Sequence, residues 1–140
     1  MTAAHSGVVT VLVVDDEEPI RNALRKFLKQ QQFEVHTAGS AEEALEQLRL
    51  HKVKLMLSDI RMPGTSGVDL VPQALEIEPD LAILMLTAVN DATSAALCMQ
   101  RGAMDYLTKP IELIDLGRAV QRAIKRRETS MVEAVSAEEI

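Results

Sequence analysis

Residues 8–20 read VVTVLVVDDEEPI, and the order of chemistry along that stretch carries the fold. Val8 to Val14 is a nearly unbroken apolar run rich in β-branched residues. It does not alternate apolar with polar, so it reads as a strand buried on both faces. Asp15 and Asp16 close it, and Pro19 follows where a fixed φ suits the opening turn of a helix. Ile20, Ala23, Leu24, Phe27 and Leu28 then fall at i, i+3, i+4, i+7 and i+8, one apolar helical face. Strand, acidic turn and helix make one unit of an α/β protein.

The unit recurs along the chain. Further strand-sized apolar runs lie at Phe33–Ala38, Leu55–Ser58, Ala82–Leu86 and Met104–Thr108, with helical spacing between them. Ser40 followed by Glu43 is a capping box that opens the second helix, and Ser66 with Asp69 is a weaker version for the third. Asp91 is placed to cap a fourth, which Gly102 stops. Leu113, Leu116, Val120 and Ile124 mark a fifth. Pro72 within the third helix predicts a kink, and Gly117 weakens the fifth by roughly 1 kcal/mol relative to alanine. Lys125-Arg126-Arg127 reads as the basic close of that fifth helix, where cations complement the dipole. Five alternations with continuously apolar strands predict a parallel sheet covered by helices on both faces. Residues 1–7 read as a tail, 8–127 as the domain, and 128–140 as a second tail, either a frayed helical extension that suits a linker or a disordered segment.

Composition excludes several classes of function. At 140 residues the chain has room for one domain, and its 47% hydrophobic and 26% charged residues are those of a soluble globular protein. Fifteen basic against 21 acidic residues give a net charge of −6, which disfavours direct nucleic-acid binding. Aromatics are 2%, too few for base stacking. The lone Cys98 has no disulfide partner and no zinc-ligand spacing, which fits a reducing compartment, the cytoplasm. No apolar stretch approaches a membrane span. His5, His36 and His51 are scattered among different elements, which argues against a metal cluster or a phosphohistidine role. Met56, Met85, Met99 and Met104 read as core filler.

In an open α/β sheet, ligands bind beyond the carboxyl ends of the strands. Those ends carry Asp15-Asp16 after the first strand, Asp59 after the third, Thr87 after the fourth and Lys109-Pro110 after the fifth. Crowded carboxylates resist ionisation unless a cation joins them, and magnesium favours such an oxygen set completed by phosphate oxygens. Lys109 and Thr87 supply a point charge and a hydroxyl suited to a transferred phosphoryl group. Asp59, flanked by Leu57 and Ile60, is the candidate nucleophile, which predicts an aspartyl phosphate.

Asp15-Asp16, Asp59-Ile60-Arg61-Met62-Pro63-Gly64 with Gly67, Thr87-Ala88 and Lys109-Pro110 together resemble the receiver domain of two-component response regulators, over about Val8 to Arg127. The resemblance implies a flavodoxin-like (CheY-like) five-stranded parallel sheet of order 2-1-3-4-5. It implies Asp59 as phosphoacceptor from a histidine kinase, a phosphotransfer protein or a small phosphodonor. Asp16 is then the principal magnesium ligand and Asp15 its neighbour, often acting through water, while Arg61 contributes its backbone carbonyl rather than its side chain. Manganese can substitute for magnesium. Thr87 and Lys109 become the phosphoryl contacts, and Ala88 the small residue leaving the phosphoryl open. Lys109-Pro110 becomes a cis bond and Tyr106 the switch aromatic that follows Thr87. The surface of the fourth helix, fifth strand and fifth helix would then change to control an output domain or effector, with a homodimer through that surface among the implied partners. Ile111 stands where phenylalanine is common. Arg61 and Val89 flank the expected line of water attack and would tune phosphoryl lifetime.

Two rivals are weighed against this. A magnesium-dependent phosphatase of the haloacid dehalogenase type needs an acid two residues after its nucleophile, where this chain has Arg61, and it also needs a cap domain. A degenerate receiver acting without phosphorylation is disfavoured because every chemical position is filled.

Overall fold

The computed structural model describes residues 8–139, with side chains described through Thr129. Five strands alternate with five helices. They are β1 (Thr10–Val14), α1 (Glu18–Gln30), β2 (Glu34–Ala38), α2 (Ala41–Leu50), β3 (Leu55–Asp59), α3 (Gly67–Ile77), β4 (Ala82–Thr87), α4 (Ala92–Arg101), β5 (Asp105–Thr108) and α5 (Leu113–Glu139). All four strand pairings are parallel, in the order β2-β1-β3-β4-β5. Residues 1–7, expected to form an N-terminal tail, and Ile140 lie outside the described residues.

Burial on both faces explains the unbroken apolar strands. Successive side chains point to opposite sides of a sheet. Val11, Val13, Leu55, Leu57, Leu84 and Leu86 pack on one face with Leu24 and Leu28 of α1 and Leu116, Ala119 and Val120 of α5. Leu12, Val14, Met56, Ile83 and Met85 pack on the other with α2, α3 and α4, where Leu48, Leu70 and Cys98 lie. The expected continuity fails at the two edge strands, where β2 and β5 are only partly buried. Each edge strand has one sheet neighbour and thinner helical cover.

The capping chemistry mostly matches the local sequence. Ser40 Oγ accepts from Glu43 N–H at 3.1 Å, while Glu43 Oε1 reaches back to Gly39 N–H at 2.7 Å rather than to Ser40. Ser66 Oγ accepts from Asp69 N–H at 3.4 Å. Gly102 ends α4 with φ at +125°, a conformation that favours glycine. Gly117 sits against the Phe27 ring with space for a methyl group at ordinary van der Waals distance.

Several expectations need correction. Asp91 precedes α4 without a side-chain cap hydrogen bond of good geometry, and its carboxylate is engaged by Arg61 and by Ser94. Pro72 does lie inside α3, as its place in the third helical stretch implies. The carbonyl it orphans, four residues back at Val68, accepts instead from Arg101 Nη1 at 3.3 Å. Lys125, Arg126 and Arg127 do not close the fifth helix, because α5 continues to Glu139. Arg126 and Arg127 instead donate to the carbonyls of Met104 and Leu81, at the amino-terminal rim of the sheet. Met99 is not core filler, since it is exposed. His36 and His51 do lie on different elements, on β2 and just after α2, but their rings stack at 3.7 Å between centroids. No such pairing is readable from residues on separate elements.

Candidate functional site

The chain crosses from one side of β1 to the other between β2 and β3, so the strand order reverses at β1/β3 and leaves a crevice above the tips of those strands. Parallel strands deliver their last residues to the same rim. Asp15 follows β1, Asp59 ends β3, Thr87 ends β4, and Lys109 follows β5. The four chemistries read from separate strand ends therefore do meet at one edge.

Asp15 is fully buried, and its Oδ1 accepts from Glu17 N–H at 2.8 Å. Among the described residues its Oδ2 has no hydrogen-bond partner, and Lys109 Nζ lies 3.8 Å away. Burial pushes the Asp15 carboxyl above the ordinary range; the Glu17 N–H and Lys109 oppose this, while Asp59 and Asp16 add to it. Asp59 is 7% exposed, and its Oδ2 accepts from Lys109 Nζ at 3.1 Å. Carboxylate oxygens of Asp15, Asp16 and Asp59 lie within 4.8 Å of one another. One ammonium thus serves two buried acids and leaves an orphaned oxygen facing a third. Such a set fits a hard divalent cation.

Around the acids the backbone is held closely. Gly67 N–H donates to Ile60 O at 2.7 Å, and a methyl at position 67 would collide with the Asp59 carbonyl. Glycine is what lets α3 start against the end of β3. Lys109 N–H donates to Thr87 O at 2.7 Å, and the Lys109–Pro110 bond is cis. Arg21, which the sequence alone does not single out, donates from Nη1 to Asp15 O at 2.7 Å.

Thr87 is buried, and its hydroxyl shares its proton between Ala88 O at 3.3 Å and Asp91 O at 3.5 Å. It thus faces the start of α4, not Asp59. Ala88 and Val89 are exposed beside Lys109 and Pro110, in a groove that α1 completes with Pro19 and Ile20. Tyr106 is 41% exposed on β5. Arg61 turns its side chain away from the acids, its Nε donating to Asp91 Oδ2 at 3.1 Å. The Ser94 hydroxyl and then Arg61 hold the Asp91 carboxyl below the usual range. Asp91 reads from sequence as a cap alone, and nothing local signals that Arg61 is its partner.

A family model described as the response regulator receiver domain matches residues 11–121. The chain belongs to that family. It is a receiver domain of two-component, phosphorelay signalling, and such domains serve as phosphoacceptors that bind magnesium at a cluster of aspartates. Response regulators of this kind work with histidine kinases and output domains. Among curated relatives, the DNA-binding transcriptional regulator NtrC of Azospirillum brasilense is 36% identical over 118 residues, 84% of this chain and 24% of the relative. The C4-dicarboxylate transport transcriptional regulatory protein DctD of Rhizobium meliloti is 33% identical over 126 residues, 90% of this chain and 27% of the relative. The chain therefore spans about a quarter of the length of these two relatives.

Solved structures agree on the fold. A response regulator receiver domain protein from Clostridium thermocellum is 33% identical with a TM-score of 0.81, covering 86% of this chain and 98% of that one. NtrX from Brucella abortus is 25% identical with a TM-score of 0.89, covering 95% of this chain and 31% of that one. No helix among the described residues is long and apolar enough to cross a membrane.

Proposed function

We propose that Asp59 accepts the phosphoryl group, and that this chain acts as a switched acceptor rather than as a turnover enzyme. A carboxylate oxygen of Asp59 forms the new P–O bond as the donor's P–N or P–O bond breaks, and the bonding pair leaves with the donor. The donor is a histidine kinase, a phosphotransfer protein or a small phosphodonor, in the cytoplasm. Asp15, Asp16, Asp59 and the backbone carbonyl of Arg61 would hold magnesium, or manganese in its place, which when bound offsets the negative charge of the phosphoryl oxygens. Lys109, already on Asp59, holds its ammonium beside the incoming group. Thr87 supplies a hydroxyl once it leaves Ala88 and Asp91, and exposed Ala88 keeps the approach open. Tyr106 follows Thr87, altering the surface of α4, β5 and α5.

The observation that carries this reading is the buried Asp15 oxygen without a partner beside Asp59, with the Lys109 ammonium bridging the two. The proposed outputs are an attached domain or separate effector, or a homodimer through α4, β5 and α5, with no membrane and no direct nucleic-acid contact. Residues 8–127 would be the receiver unit and 128–140 a helical linker, supported by the run of α5 to Glu139. Phosphate-affinity electrophoresis with acetyl phosphate and magnesium tests the site. Wild type should shift and Asp59→Ala should not; an unshifted wild type would favour a degenerate receiver. Turnover of p-nitrophenyl phosphate would instead revive the phosphatase.

A further inference from the structure

One charge pair lies beside the acceptor with its side chains turned away from Asp59. Arg61 follows Asp59 by two residues, and its side chain is 73% exposed, yet its Nε holds Asp91 Oδ2 at 3.1 Å. Asp91, with its side chain 9% exposed, immediately precedes α4. The guanidinium therefore ties the loop after β3 to the first turn of α4. The far end of α4 is tied as well, since Arg101 Nη1 donates to Asp69 Oδ1 at 3.0 Å and to Val68 O at 3.3 Å on α3. Thr87 shares the first tether, because its hydroxyl faces the Asp91 carbonyl. A cavity lined by Ile60, Arg61, Met62, Ser66, Asp91 and Ser94 adjoins the pair and leaves that turn room to shift.

We infer that the Arg61–Asp91 pair is a latch on α4, which a phosphoryl group on Asp59 opens by drawing Arg61 away from Asp91. The inference rests on Asp59 being the phosphoacceptor. A phosphoryl group brings more negative charge and more acceptor oxygens than the Asp91 carboxylate, in a geometry that a guanidinium fork fits well. An ion pair with one exposed partner is weak, so the guanidinium can be exchanged between acids without large loss. Once freed, the first turn of α4 moves with Thr87, while Arg101 keeps the last turn against α3. Arg61 and Asp91 are thus positioning residues whose pairing sets the resting equilibrium.

The test uses the full chain with magnesium and beryllofluoride, a phosphoryl mimic. Binding is followed by the fluorescence of Tyr106, since the chain has one tyrosine and no tryptophan. Hydrogen exchange of the first-turn amides of α4 is measured in parallel. Asp91→Asn removes the charge while keeping the size of the side chain. It should bind beryllofluoride about two- to fivefold more tightly and exchange faster in that turn before the mimic is added. Asp91→Glu should behave as wild type. Arg61→Gln should loosen the same turn, and adding Asp91→Asn to it should change nothing further. Wild-type affinity and exchange in Asp91→Asn, or the same tightening on the Arg61→Gln background, would overturn the latch alone. A wild type blind to beryllofluoride would overturn the acceptor reading together with the latch. Should Asp91→Asn fail to fold, Arg61→Gln decides, with unchanged first-turn exchange as the outcome that sinks the idea.

Discussion

Asp15 and Cys98 are both fully buried titratable groups, and burial raises both. The Asp15 carboxylate lies in the acidic rim with one oxygen orphaned, so its ionised form opposes folding. Because its folded value lies above the ordinary 3.8, the folded state holds the proton longer than the unfolded chain. Stability without added metal should fall as pH rises from near that ordinary value through the raised one. Asp15→Asn should then gain about 1 kcal/mol at neutral pH, the scale of relieving one unsatisfied buried group. That corresponds to a rise in Tm of roughly 3–5 °C. The gain should vanish in acid, where wild type is protonated in both states. Thermal melts of the two proteins across pH, in the presence of a chelator, check this. Cys98 is pushed from 9.0 up to about 11. It should resist a thiol reagent such as dithionitrobenzoate at pH 8 until denaturant is added. Stability should decline across the window between those two values, as the unfolded thiol ionises first. Asp59, Thr87 and Lys109 were legible as strand-end residues because the termini of parallel strands share one rim. Asp91 as the partner of Arg61 was not, since neither burial pattern nor spacing encodes which rotamer bridges two loops.

Among the elements, α3 and α4 depend on each other in a way that neither sequence shows alone. Pro72 leaves Val68 O without its helical N–H, and Arg101 from α4 supplies the missing donor while pairing with Asp69. The proline thereby creates a docking point for the neighbouring helix. Arg101→Ala removes that donor and the pair together. It should cost about 0.5–1 kcal/mol, since both the carbonyl contact and the ion pair with Asp69 are exposed and water takes the place of the lost donor. Urea unfolding checks the magnitude, and an unchanged slope would show that the denatured state is unaffected. The capping boxes of α2 and α3 were legible because a cap and its N–H partners lie within three residues of one another. The length of α5 was not, because its apolar spacing loosens after Ile124.

Over the whole molecule, β1, β3 and β4 form a spine buried on both sides, with β2 and β5 as thinly covered edges. Native-state hydrogen exchange should therefore be slowest for amides of the central strands and markedly faster in β2 and β5. Equal protection across all five strands would contradict that layering. The sequence by itself determined the alternating α/β architecture, the two-faced burial of the central strands and the gathering of acids, hydroxyl and amine at one rim. Each of these follows from periodicity, capping and chain direction, which act over a few residues and leave local marks. Only the tertiary structure decided that Arg61 holds Asp91, that Arg101 completes α3, that His36 stacks on His51, and that Arg126 and Arg127 bind the opposite rim. Those contacts join elements far apart in the chain, and their partners are selected by helix placement and side-chain rotamer, quantities that no local pattern of residues carries.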